Sequence, residues 1–258
     1  MITRAVLCPS PPLLARELTG RDPAVPGLRA ACTAAVAWLL EPRPQRVIVV
    51  GPAPATDDWD PAGRLDLSAF APALGHAGKP GLPLSLGLGA MLLDQAGYAG
   101  SRVLQAVGEG EPAGQCAQLG AALAAAGESA GQCAQHGAAV AAAGEPATML
   151  VLGDGSARRS EAAPGHLDER AVPFDDEVVR AVRDGDLPAL AALDPGLARE
   201  LMVTGRPAWQ VLCGALGPRR PVTEVLYADA PFGVAYLVAR VDPGSRVASS
   251  AQRKFSPK

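Results

Sequence analysis

The chain has 258 residues, 48% hydrophobic and only 4% aromatic, with a formal net charge of −3 from 23 basic and 26 acidic side chains. That length suits one large α/β domain or two small ones, and the apolar content suffices for a core without disulfide or metal staples. Mixed, slightly acidic charge excludes the basic footprint of a nucleic-acid binder.

Ile2–Cys8 opens the chain as an aliphatic stretch that reads as a buried strand. Pro23–Leu40 follows with apolar residues at helical spacing, Asp22 as N-cap and Pro42 as a stop. Arg46–Gly51 is a continuous apolar run ending in Gly-Pro, the pattern of a strand covered on both faces. Thr148–Gly153 repeats that design, and Val222–Tyr227 and Gly233–Val241 predict two more strands around a turn at Pro231. Helical spacing predicts helices over Leu84–Ala96, Asp175–Arg183, Leu187–Leu193, Leu197–Val203 and Ala208–Leu216. Strands alternating with helices predict an α/β fold. Its core is a single domain with a mostly parallel central sheet flanked by helices, built from Ala, Val and Leu.

The segment Gly114–Glu128 recurs as Gly131–Glu145, changed only at Leu119 against His136 and Leu123 against Val140. Two copies are too few for a solenoid, and a local duplication lengthening one surface helix is the plain reading. Cys8, Cys32, Cys116, Cys133 and Cys213 form no CxxC pair, so reduced, mostly buried thiols in a cytoplasmic protein are expected. No segment reaches the roughly 18 uninterrupted apolar residues of a membrane span. Arg246–Lys258 is the one cationic run and reads as a disordered tail.

Ligands of parallel sheets bind outside the carboxyl ends of the strands. Three such ends carry unusual residues: Cys8-Pro9-Ser10-Pro11-Pro12, Gly51-Pro52-Ala53-Pro54 with Asp57, Asp58 and Trp59 beyond, and Gly153-Asp154-Gly155-Ser156-Ala157-Arg158-Arg159. The third is the most informative, because glycines allow close backbone approach and arginines attract an anion. A structural turn explains it equally well, with Asp154 capping backbone amides and Arg158 paired to a carboxylate. Arg206, in Gly205-Arg206-Pro207, is placed to reach the same cleft, although a surface Arg206 beside a packed Trp209 fits the pattern too. Glu161, Asp168, Glu169, Asp175 and Asp176 read as a solvated acidic face.

The order of CPSPPLL after the first strand, VIVVGPAP after the second, LGDGSARR with APGHLDERAVPFDDEVVRAV, and a terminal APFGVAYLVA resembles the class III extradiol dioxygenase B-subunit family. Memo-like proteins share that fold, and an actinobacterial group of B-subunit-like proteins is the nearest in pattern. The resemblance implies a B-subunit-like domain over residues 1–242 with a tail over 243–258. It also implies where iron chemistry would sit. The first histidine ligand falls on Ser10, the second on Ala53, the acid/base histidine on Ala157 and the carboxylate ligand close to Val203. None has the required side chain, and only His76, His136 and His166 exist elsewhere.

These readings lead to a metal-free homologue of the class III extradiol dioxygenases, with no cofactor. Its expected ligand is an anionic small molecule or a partner, held by Ser10, Asp154, Ser156, Arg158, Arg159 and Arg206. Two alternatives stay open. One is an oxygenase or other oxidoreductase with a rearranged site, or metal-free chemistry through Cys8, Ser10 or Asp154. The other is a non-catalytic scaffold subunit, working as a homo-oligomer or beside a second chain. Neither a nucleic acid nor a membrane is expected as partner.

Overall fold

The computed structural model describes residues 1–19, 25–74, 81–126 and 146–244. Asp22 and Pro23, His76, Cys133, His136, the second copy of the repeat and the tail from residue 245 lie outside them.

Among the described residues seven strands form one sheet: β1 (Ile2–Cys8), β2 (Arg46–Ala53), β3 (Asp57–Trp59), β4 (Ser101–Gly108), β5 (Ala147–Leu152), β6 (Val222–Asp229) and β7 (Tyr236–Asp242), in the order β3-β4-β2-β5-β1-β7-β6. The middle four, β4-β2-β5-β1, run parallel. Antiparallel β3 closes one edge and the β7–β6 hairpin the other. The sheet is therefore mixed, with the expected parallel arrangement at its centre.

Among the described residues eight helices cover it: α1 (Arg16–Thr19), α2 (Pro26–Leu40), α3 (Leu84–Gln95), α4 (Ala113–Ala125), α5 (Ala171–Arg183), α6 (Leu187–Ala191), α7 (Pro195–Glu200) and α8 (Arg206–Leu216). Two apolar layers result. Val47, Val49, Leu150 and Leu152 face α2 and α3, while Ile48, Val50, Met149 and Val151 face α5 and α8. Alternation along β2 and β5 requires both layers, since each strand buries both of its faces. The first copy of the repeat is α4, which packs on α8 so closely that a Cβ at Gly120 would lie 1.9 Å from the Val211 carbonyl oxygen.

Strands β3 and β4 were not foreseen. Gln105 interrupts the apolar run of β4, yet it is buried because its amide donates to the backbone carbonyls of Asp57 and Ala106. Helix α5 starts at Ala171 and turns Asp175 inward among Phe174 and Val178, at 3% exposure. Asp175 is thus not part of a solvated face. The four described cysteines are buried and free. Among the described residues no helix is long and apolar enough to cross a membrane.

Candidate functional site

The adjacent parallel strands β1 and β5 end side by side, and the Gly153 N–H donates to the Cys8 carbonyl oxygen at 3.0 Å. Past that point the chains diverge and leave a hollow above the sheet. Asp154 stands at its base. One carboxylate oxygen accepts the Ser10 N–H at 2.7 Å, the Asp154 N–H donates to the Thr204 hydroxyl at 3.1 Å, and the Asp154 carbonyl accepts the Gly205 N–H at 2.8 Å. The β1 loop, the β5 loop and the turn before α8 therefore meet on one residue.

Glycine is required at that meeting. Gly153 has φ +152°, and a Cβ there would lie 2.3 Å from the Gly205 Cα, so the two backbones touch. Beyond Asp154 the loop is tied to the segment just before β7. Gly155 N–H donates to Ala235 O and Ala235 N–H to Ser156 O, both at 2.8 Å, while Arg159 N–H donates to Gly233 O at 3.0 Å.

The resulting cleft has a volume of about 760 Å³. Pro11, Pro12 and Leu13 form one wall, Ala198, Met202 and Val203 another, and Ala157, Pro164, Phe232 and Val234 complete an apolar lining. Polar groups are few: Asp154, Thr204, Tyr236, Glu109, Arg199 and Arg206. An apolar cavity of this size with a small convergent polar set has the make-up of a small-molecule site. Met202 lines it with a left-handed backbone, φ +58°, and 45% exposure, an uncommon conformation for a residue with a Cβ.

Burial sets the electrostatics. It pushes the Asp154 carboxyl up to about 7, against the opposing pull of the Ser10 N–H, so the group exchanges protons near neutrality. Burial, and then the neighbouring Asp154 charge, raise the Tyr236 hydroxyl above its ordinary range.

The six residues picked out from sequence are divided by the fold. Ser10 and Asp154 meet directly, and Arg206 lines the same cleft. Arg206, however, is 1% exposed and holds backbone: its guanidinium donates to the carbonyls of Glu109 (2.7 Å) and Glu111 (2.9 Å) and to the Gln210 side chain (2.8 Å). Ser156 is fully buried, with its hydroxyl and N–H both donating to Asp175, at 2.6 and 2.9 Å. Arg158 donates to the carbonyls of Gly165 and Glu200 and lies 3.9 Å from Asp168. Arg159 faces two other hollows, of about 220 and 500 Å³, and approaches Asp175 at 3.8 Å. Arginines that looked available for an anion are consumed by carbonyls and carboxylates. Sequence reading missed Tyr236, Thr204 and Arg199. Strand alternation in β7 was the available signal for Tyr236.

Arg206 yields an expected result. Arg206→Met should lower stability by about 3 kcal/mol, because two part-buried carbonyls and the buried Gln210 side-chain oxygen lose a charged donor. Thermal melts check it, and a change within about 0.5 kcal/mol would contradict the role.

Iron does not fit these residues. Ala157 and Val203 line the cleft, Ser10 sits beside the lining residue Pro11, and Ala53 is buried at the end of β2. His166 is exposed and meets the Glu161 carbonyl, outside the cleft. Among the described residues no group of three or more His, Cys, Asp or Glu side chains is arranged to hold a metal ion.

No protein-family model matches the chain, and no curated protein does. Among solved structures it is similar to the crystal structure of uncharacterized protein JW3007 from Escherichia coli K12. The TM-score is 0.52 and the identity 13%, over 93% of this chain and 99% of that one. At that identity the likeness is one of fold.

Proposed function

We propose that the chain is a metal-free relative of the class III extradiol dioxygenases that uses the strand-end cleft to bind a small molecule with an apolar body and an anionic group. The observation that carries this reading is the cleft itself: an apolar cavity with Asp154 at its base and Arg199 at its edge. The Arg199 side chain is exposed and makes no hydrogen bond or ion pair among the described residues, so its charge is available to a ligand. The positions where the resemblance puts donor side chains carry Ala157 and Val203, which extend the apolar lining.

Calorimetric titration with a panel of small carboxylates tests the proposal. Binding is expected in the wild type, a loss of about tenfold or more in Arg199→Ala, in keeping with one charge-assisted hydrogen bond, and abolition in Val203→Trp, which fills the cleft. Equal binding by the wild type and Val203→Trp would place the ligand elsewhere. Stoichiometric iron in protein from iron-supplemented cells would refute the metal-free reading.

A further inference from the structure

Tyr236 is 4% exposed, yet its hydroxyl makes no hydrogen bond among the described residues. A buried tyrosine hydroxyl ordinarily has a partner. The oxygen is not among the sealed, unpartnered atoms of the interior, so it opens to a cavity. Tyr236 borders both the cleft and the smaller hollow beside it, but its side chain packs with Val234 and Val238 on the face of the cleft residues Phe232 and Val234, whereas Leu237 and Ala239 pack on the opposite face. Its hydroxyl is therefore an unpaired donor aimed into the cleft, and Asp154 is its charged neighbour there.

Three polar groups in that cavity thus await a ligand: the Tyr236 hydroxyl, the Asp154 carboxyl and the unpaired Arg199 guanidinium at the edge. We infer that the ligand is a 2-oxo acid with an apolar side chain and that the cleft catalyses its keto–enol interconversion. This inference rests on the proposed reading of the cleft as a small-anion site. The carboxylate meets Arg199, the tail lies along Val203 and Leu13, and the carbonyl oxygen accepts from Tyr236. The Asp154 carboxylate removes a proton from the carbon beside the carbonyl. The C–H electron pair forms the C=C bond, the C=O π pair moves to oxygen, and the Tyr236 hydroxyl stabilises the enolate that results. The protonated Asp154 then returns the proton to carbon or, by way of the enolate oxygen, leaves the enol. Atoms and electrons balance without an oxidant or co-reactant. A carboxylate base with a tyrosine donor in an apolar site is a known arrangement for moving protons next to a carbonyl, and burial gives Asp154 the basicity for it near neutral pH.

Proton NMR in D₂O with 4-methyl-2-oxopentanoate as probe tests the inference, with calorimetric titration of the same compound alongside. The wild type should speed exchange of the hydrogens beside the carbonyl by about 100-fold or more over buffer. Asp154→Asn should reduce exchange to the buffer rate, and Tyr236→Phe should slow it by at least tenfold while binding persists. Binding with exchange at the buffer rate overturns the enolisation and leaves the binding site standing. Exchange unchanged in Asp154→Asn also overturns it. No binding of the probe overturns this ligand class, whereas failure across the whole carboxylate panel overturns the small-anion reading of the cleft itself.

Discussion

Asp154→Asn should stabilise the fold by about 2–4 kcal/mol at pH 8 and by almost nothing at pH 3. The carboxyl moves from its ordinary 3.8 to about 7 in the folded protein. At about 1.4 kcal/mol per tenfold in proton affinity, that is a cost of up to about 4 kcal/mol, trimmed because the residue is only half-buried. The sign follows from proton counting. Between pH 4 and 7 the folded state holds a proton that the unfolded chain releases, so the wild type loses stability as pH rises through that window and levels off above it. Asparagine is neutral throughout and still accepts the Ser10 N–H. Urea unfolding of both proteins across pH 3–8 reads the difference directly. A variant no more stable than the wild type at pH 8 would mean that the carboxyl is well solvated and that its protonation is ordinary. A gain in stability with a loss of exchange is the pattern of a group held for function at the expense of the fold.

Gly153→Ala should be the most damaging single-atom addition near the cleft. Its Cβ would meet the Gly205 Cα at 2.3 Å and the Gly205 nitrogen at 3.1 Å, both backbone atoms, from a φ of +152° that side-chain-bearing residues rarely adopt. Strain and overpacking each cost about 1–3 kcal/mol, so a loss of about 3–5 kcal/mol is expected. Gly114→Ala, in the first turn of α4, is the internal control. Nothing lies within 4 Å of its added Cβ, and a helical Gly→Ala change should gain about 0.5 kcal/mol. Thermal melts of both variants suffice. A Gly153→Ala protein within about 1 kcal/mol of wild type would show that the two loops can separate.

The parallel centre of the sheet was legible because Ala5–Cys8 in β1, Val47–Val50 in β2 and Met149–Leu152 in β5 are uninterrupted apolar runs, the pattern of strands buried on both faces. Strand β4 escaped notice because Gln105 breaks its run, and only the partner carbonyls supplied by β3 and β4 make that residue tolerable inside. Asp175 was misread for the same reason. An aspartate in an acidic stretch reads as solvated until Ser156 is seen to donate two hydrogen bonds to it. Asp154 was recognisable as the polar residue leaving a buried strand between glycines. The unpaired cation of the cleft was not, because charge alone cannot distinguish an arginine that clamps carbonyls, such as Arg158 or Arg206, from one that stands free, such as Arg199. Bond partners decide that, and they come from segments distant in the chain: Glu109 and Glu111 are supplied to Arg206 from 97 and 95 residues away.

The short ladder joining the loop after β5 to the residues before β7 gives the cavity two unlike halves. The backbone N–H groups of Ser10, Gly153, Asp154, Gly155, Ser156 and Ala235 are all engaged at the Asp154 and Tyr236 end, so that end has little freedom to reshape around a foreign polar group. The exposed part of the lining carries Met202 and Phe232, 45% and 41% exposed, whose side chains can swing without breaking a hydrogen bond. Selection should accordingly be strict for the head of a bound molecule and permissive for its tail, so that compounds differing only in chain length or branching bind within a few-fold of one another.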